Sequence, residues 1–172
     1  MTRNPWVEVT KGNRRARALA DRHYSRGTIG AIGFAPPGQT IILLTPDEKA
    51  LWGSHRPAPW AVDDEGEKIT RIDGFEGHSC FIFRNEGAGL SSELIQEAVG
   101  ITCHKWGAAP FLTYVAVEKV ASVNPGYCYL KAGFKGVGYT KSGKHGVLRK
   151  LVMDEATVTS LGETVSALGG LL

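Results

Sequence analysis

The stretch His78–Trp106, HSCFIFR-NEGAG-LSSELIQEAVGITCHKW, decides the reading of the fold. Its first seven residues alternate with apolar Cys80, Ile82 or Phe81, Phe83, as a buried strand does. Asn85–Gly89 is a glycine-rich turn. From Leu90 to Trp106 the apolar residues Leu94, Ile95, Ala98, Val99 and Ile101 recur at helical spacing. A strand feeding through glycines into an amphipathic helix is the core of an α/β or α+β domain. The turn fits the pattern [Q/R]-x-x-G-x-[G/A] through Arg84, Gly87, Ala88 and Gly89. Glycines there let backbone N–H groups turn inward. The helix that follows adds its positive end, and together they can hold a pyrophosphate. The alternative is that Gly87 and Gly89 only make a tight turn between strand and helix. Ser91 and Ser92 either cap the helix or bond a phosphate or acyl group.

Outward from this unit the chain keeps alternating strands and helices. Trp6–Thr10 reads as a short strand, and Asn13 caps a helix reaching to about Tyr24. Gly27, Gly30 and Gly33 make a flexible connection and Pro36-Pro37-Gly38 a turn. Gln39–Thr45 and Ala50–His55 form an antiparallel hairpin, and residues 57–76 are loop-like and acidic. After the central helix come a strand at Phe111–Val117, a short helix at Pro125–Ala132 ended by Gly133, and a hairpin over Gly136–Val152. The order is β-α-β-β-β-α-β-α-β-β, a mixed central sheet flanked by helices. Residues 1–152 make the domain. Residues 153–172 carry Val158, Leu161, Val165 and Leu168 on one helical stripe, a face for the domain or for a homodimer partner.

Composition bounds the function. The 172 residues are 42% hydrophobic and 22% charged, ordinary for a globular domain. No apolar run approaches the roughly 20 residues of a membrane helix, so no membrane partner is expected. Cys80, Cys103 and Cys128 form neither a disulfide framework nor a CxxC metal signature, which points to a cytoplasmic setting. His55, His78, His104 and His145 show no ligand spacing. The net charge is only +3, but its distribution is uneven. Residues 11–26 hold Lys11, Arg14, Arg15, Arg17, Arg22 and Arg26 against Asp21 alone. Residues 131–150 hold Lys131, Lys135, Lys141, Lys144, Arg149 and Lys150 against no acid. Two basic stretches suit a polyanion such as DNA, or are simply solvated surfaces.

The element order, the Arg84–Gly89 loop and Tyr129-Leu130-Lys131-Ala132-Gly133-Phe134 resemble the GNAT acyltransferase fold. The resemblance implies an acyl-CoA-like small-molecule donor on the loop and Tyr129 as the acid for its departing thiolate. A narrower resemblance is to the Mom DNA-modification proteins of Mu-like phages, a divergent GNAT branch. It rests on His23-Tyr24-Ser25-Arg26-Gly27, on Arg84 with Ser92, and on Phe111-Leu112-Thr113-Tyr114. It also rests on Tyr129 to Phe134 and on Val137-Gly138-Tyr139-Thr140-Lys141. The Asp expected after the Thr-Tyr strand is absent; Ala116 and Val117 stand there, with Glu118 next.

This resemblance implies an acyl or carbamoylmethyl-type transfer onto an exocyclic amine of a DNA base, adenine first, guarding phage DNA from restriction in a bacterial host's cytoplasm. His23 and Tyr24 would serve the acceptor side as catalytic residues, or hold iron. Ser25, Arg26, Tyr114, Arg15, Arg17, Lys141 and Lys144 would contact the substrate. A base buried in a duplex must be extruded first, and Tyr24, Tyr114, Trp52 and Trp60 are the aromatics that could stack on it. Two rivals stand beside this reading. One is an acetyl-CoA-dependent N-acetyltransferase for a small amine or peptide; the other is a non-catalytic nucleic-acid-binding protein of the same fold.

Overall fold

The computed structural model describes residues 6–57, 64–67, 74–120, 123–143 and 146–168. The elements run β1 (Val7–Val9), α1 (Arg14–Asp21), β2 (Gln39–Leu44), β3 (Ala50–Arg56), β4 (His78–Asn85) and α2 (Ser91–Trp106). They continue with β5 (Phe111–Ala116), α3 (Tyr127–Ala132), β6 (Lys135–Tyr139), β7 (Leu148–Met153) and α4 (Glu155–Ala167). The expected order is present, with α4 added after the last strand. One seven-stranded sheet has the order β1-β2-β3-β4-β5-β7-β6. The last hairpin therefore enters by its second strand, so β7 lies beside β5 and β6 takes the edge. Among the described residues no helix is long and apolar enough to cross a membrane.

Each side of the sheet has its own core. On the side of α2, α3 and α4, Trp52, Cys80, Ile95, Phe111, Val115, Tyr129 and Leu151 pack together. On the side of α1, Ala16, Leu19 and Ala20 cover Ile42, Leu51 and Ile82. Trp52 is wholly buried, its indole N–H donating to Ser54 Oγ at 2.7 Å. It cannot stack on a base, contrary to expectation, because it is core. Trp60 lies outside the described residues.

Helix α1 begins where Asn13 Oδ1 accepts from the N–H groups of Arg15 and Ala16, as its capping position requires. It ends at Asp21, three residues before the expected Tyr24. The N–H groups of Arg22 and His23 bond back only three residues, to Leu19 and Ala20. That tighter turn sends the chain out of the helix and towards the sheet. Helices α2 and α4 approach closely through glycines. A Cβ on Gly100 would lie 2.5 Å from Val165 Cγ2, and one on Gly162 would lie 2.7 Å from Cys103 Sγ. Val158 and Val165 are thereby buried within the chain, whereas Leu168 is exposed.

The central irregularity is in β4. Opposite it, Gly53 pairs with Ile82 and Ser54 with Cys80, leaving Phe81 as an extra residue, a β-bulge. Cys80 and Phe83 therefore both reach the α2–α3 core, while Phe81 and Ile82 both face α1. Gly53 permits this arrangement: a Cβ there would lie 2.4 Å from the Phe81 ring. Beside the bulge, β4 and β5 pair in parallel only over His78–Cys80 with Phe111–Thr113. Strand β4 runs on to Asn85 and β5 to Ala116, each still paired on its other side. A gap opens between them.

Candidate active site

Tyr129, from α3, stands at the closed end of that gap. It is only 8% exposed, with its hydroxyl 3.7 Å from Cys80 Sγ of β4 and hydrogen-bonded to the Thr113 hydroxyl of β5. Phe83 and Phe134 meet its ring edge-on. Burial holds the Tyr129 hydroxyl well above its ordinary pKa, so it stays protonated at any working pH. Burial also pushes the Cys80 thiol up to about 12, so it is no nucleophile.

The residues after α1 cross the mouth of the gap. His23 hydrogen-bonds the Phe83 backbone on β4, and the Tyr24 hydroxyl accepts from the Ala116 N–H on β5 at 3.4 Å. Their rings stack at 4.3 Å. Ser25 completes the strap: its N–H donates to His23 Nδ1 at 3.1 Å, and its Oγ lies 2.7 Å from the same nitrogen. Burial, with the Arg84 guanidinium adding to it, lowers His23 from 6.5 to about 4. Burial raises the Tyr24 hydroxyl. The imidazole is neutral near pH 7 with both nitrogens engaged. The His23–Tyr24 pair does not fit a resident iron, because Nδ1 is shared with Ser25 and Tyr24 accepts a backbone proton. Among the described residues no three His, Cys, Asp or Glu side chains group as a metal site.

Beyond the strap, Ser25–Pro36 folds over the bulge and leaves a cavity of about 490 Å³ floored by Phe81 and Ile82. Arg26 shapes this loop instead of reaching outward. Its side chain is 7% exposed; Nε donates to Asp21 Oδ1 at 2.7 Å, and its two arms bond the carbonyls of Gly33 and Ala31. Arg26 is therefore not available to bind a polyanion, which corrects the sequence expectation. Arg15 is exposed but sits 3.6 Å from Glu48, and Arg17 is half-buried. Tyr114 is half-buried and, alternating with Thr113 and Val115, belongs to the α1 face of β5. Lys141 is exposed beyond β6, and Lys144 lies outside the described residues.

At the open end lies the loop between β4 and α2. The Gly87 and Ala88 N–H groups, expected to cradle a donor, both bond Asn85 Oδ1, at 3.1 and 2.9 Å. Asn85 Nδ2 in turn donates to the Gly89 carbonyl and Ser91 Oγ. Arg84 donates from Nε to Glu86 and from Nη1 to the Arg22 carbonyl at 2.8 Å. No side chain caps α2 at Leu90, so its first-turn N–H groups, at Ser91 and Ser92 among others, keep their positive end towards the loop. Sequence reading missed Asn85 and Glu86. An Asn two residues before a glycine is a turn-forming signal and could have marked Asn85; nothing local marks the pairing of Glu86 with Arg22, 64 residues away.

No family model and no curated protein matches the chain. Solved structures do. Spermidine N-acetyltransferase from Vibrio cholerae in complex with CoA and spermine is 13% identical, with a TM-score of 0.56 over 90% of this chain and 96% of that one. A chimera of the same Vibrio cholerae enzyme, SpeG, with hSSAT is 12% identical, with a TM-score of 0.54 over 90% and 96%. The chain has the GNAT fold.

Proposed function

We propose that the protein transfers an acyl group from an acyl-CoA-type thioester to an amine. The observation that carries this is the gap between β4 and β5, three paired residues long at its root, with protonated Tyr129 at its closed end. A thioester arm laid along the gap would find strand backbone on both sides and the uncapped end of α2 for its phosphates. The amine nitrogen attacks the thioester carbonyl carbon; the C–N bond forms, the C–S bond breaks, and the thiolate takes a proton or hydrogen bond from Tyr129. The amine must shed its extra proton to water; His23, neutral on the acceptor side, can orient the amine by accepting its hydrogen bond at the Nδ1 that Ser25 now satisfies. The cavity under Ser25–Pro36 is lined from Ser25, the residue that follows Tyr24, and would seat the amine's carrier.

The finer reading places that amine on a DNA base. The exposed cations Lys11, Arg14 and Arg15 near α1, and Lys135 and Lys141 on the last hairpin, support a polyanionic acceptor over a polycationic one. Spermine, bound by the Vibrio cholerae neighbour, is a polycation.

Thiol release from acetyl-CoA, measured with spermidine and with single-stranded DNA as acceptors, tests the general reading. Tyr129→Phe should lower the rate by about 100-fold or more, since a positioned acid contributes about 100- to 10,000-fold. An undiminished rate makes Tyr129 a packed aromatic and removes it from the mechanism. Mass spectrometry of nucleosides from DNA co-expressed with the protein tests the finer reading; unmodified nucleosides alongside spermidine turnover would assign a small-amine acceptor.

A further inference from the structure

The exposed polar cluster at the mouth of the gap is built unlike an ordinary surface pair. Arg22, just past α1, places Nε 2.8 Å from Glu86 Oε2 and Nη2 2.9 Å from Oε1, a two-pronged grip on one carboxylate. Arg84 approaches the same Oε2 through its own Nε. Its Nη1 bonds the backbone carbonyl of Arg22, so the Arg84 side chain is tied to the Arg22 main chain independently of the acid. The Glu86 backbone is anchored separately, its N–H donating to the Lys49 carbonyl at 2.7 Å. One two-pronged guanidinium with a second guanidinium beside it is a geometry that recognises phosphate oxygens as readily as carboxylate.

We propose that Arg22 and Arg84 form a phosphate-class anion site that Glu86 fills from within the chain, and that Glu86 sets how tightly the donor's phosphates bind. The donor assignment in this proposal rests on the acyl-transfer reading; the anion site itself does not. Three features support it. The cluster is reachable from solvent, with side-chain exposures of 50% for Arg22, 32% for Arg84 and 29% for Glu86. The arginines hold the Glu86 carboxyl down at about 2, so it competes at every working pH. And Asn85 already satisfies the Gly87 and Ala88 N–H groups, which shifts anion recognition from those amides to the guanidiniums. By contrast Arg15 and Glu48 meet at 3.6 Å through one contact, and among the described residues no second cation bridges to that acid.

The test uses the full chain and inorganic pyrophosphate as the probe, by titration calorimetry, with coenzyme A in parallel. Glu86→Gln keeps the side chain's size and removes its charge; circular dichroism checks that the variant stays folded. Pyrophosphate should bind about tenfold tighter to Glu86→Gln, a partly screened fraction of a close charge–charge interaction. Arg22→Gln should bind it about tenfold more weakly than the unaltered protein. If Glu86 were only a clasp between α1 and the loop, both variants would loosen the same contact and neither would gain affinity. Unchanged, weaker or undetectable pyrophosphate binding by Glu86→Gln overturns the proposal. The two readings fail separately. A gain in pyrophosphate affinity without any thioester turnover leaves the anion site standing and removes the acyl-transfer reading. Turnover with an affinity indifferent to residue 86 does the reverse.

Discussion

Two glycine-rich loops border the gap, and each is closed by one polar side chain of opposite chemistry. In the loop after the strap, Arg26 gathers acceptors: the Asp21 carboxylate and the carbonyls of Ala31 and Gly33. In the loop before α2, Asn85 accepts from two backbone N–H groups and donates to a carbonyl and a hydroxyl. Each loop needs a glycine with positive φ to turn, Gly30 at 83° and Gly87 at 104°. The difference lies in charge and water. Arg26 is a nearly buried cation that joins three acceptors, whereas Asn85 is neutral and its loop is largely exposed. The loop after the strap is thus a preformed wall, whereas the internal bonds of the loop before α2 lie where water can compete for them.

The comparison breaks most visibly at Arg26. Arg26→Met should cost the most of these changes, because two carbonyls and the partly exposed Asp21 carboxylate lose a shared donor together. Urea unfolding midpoints measure this, and Arg26→Lys should recover less than half, since an ammonium cannot fork across three acceptors. A loss under about 1 kcal/mol would show that water reaches these groups and that the wall is no more rigid than the other loop.

A smaller loss is expected at the cavity floor. Gly53→Ala drives a methyl into the Phe81 ring, whose nearest atom would be 2.4 Å away. The ring must swing towards the cavity, at about 1–3 kcal/mol. Thermal unfolding reads the cost. A variant as stable as the parent would show that the bulge does not depend on this contact.

Asn85→Ala should cost less again, about 1–2 kcal/mol, because water can take over the four bonds. Hydrogen exchange at the Gly87 and Ala88 amides should quicken while that in α2 stays slow. A cost equal to that of Arg26→Met would erase the distinction between the loops.

The mildest effects come from pH, and they separate the two loops by window. His23 is lowered to about 4 from 6.5, so between these values the unfolded chain binds the extra proton and stability rises with pH. Glu86 is lowered to about 2 from 4.5; its contribution is complete above about 4.5 and is lost as pH falls towards 2. Stability curves of His23→Gln should be flatter in the upper window alone, and those of Glu86→Gln in the lower window alone. Identical curves for the two variants would mean that the strap and the loop before α2 titrate as one unit.

Much of the fold was readable because its causes are local. Short apolar runs marked β2, β4 and β5, Asn13 marked the start of α1, and the spacing of Leu94, Ile95, Ala98 and Val99 marked α2. The pattern around Arg84–Gly89 located a strand–loop–helix turn correctly, although it assigned to a ligand the two N–H groups that Asn85 occupies. Basic residues were legible as charge but not as exposure: Arg26 and Arg15 look alike in sequence, yet one is nearly buried and the other is 71% exposed.

What the sequence determined by itself is the succession of strands and helices, the glycine loop before α2, and the presence of His23, Tyr24 and Tyr129, since propensity, capping and periodicity act over a few residues. Tertiary structure alone decided the bulge at Phe81, the insertion of β7 beside β5, and the three-residue limit of β4–β5 pairing. It also decided that Arg22 meets Glu86 across 64 positions, Tyr24 meets Ala116 across 92 and Cys80 meets Tyr129 across 49. These contacts follow from register and crossing, and a one-residue slip in β4 would turn each of its side chains to the other face.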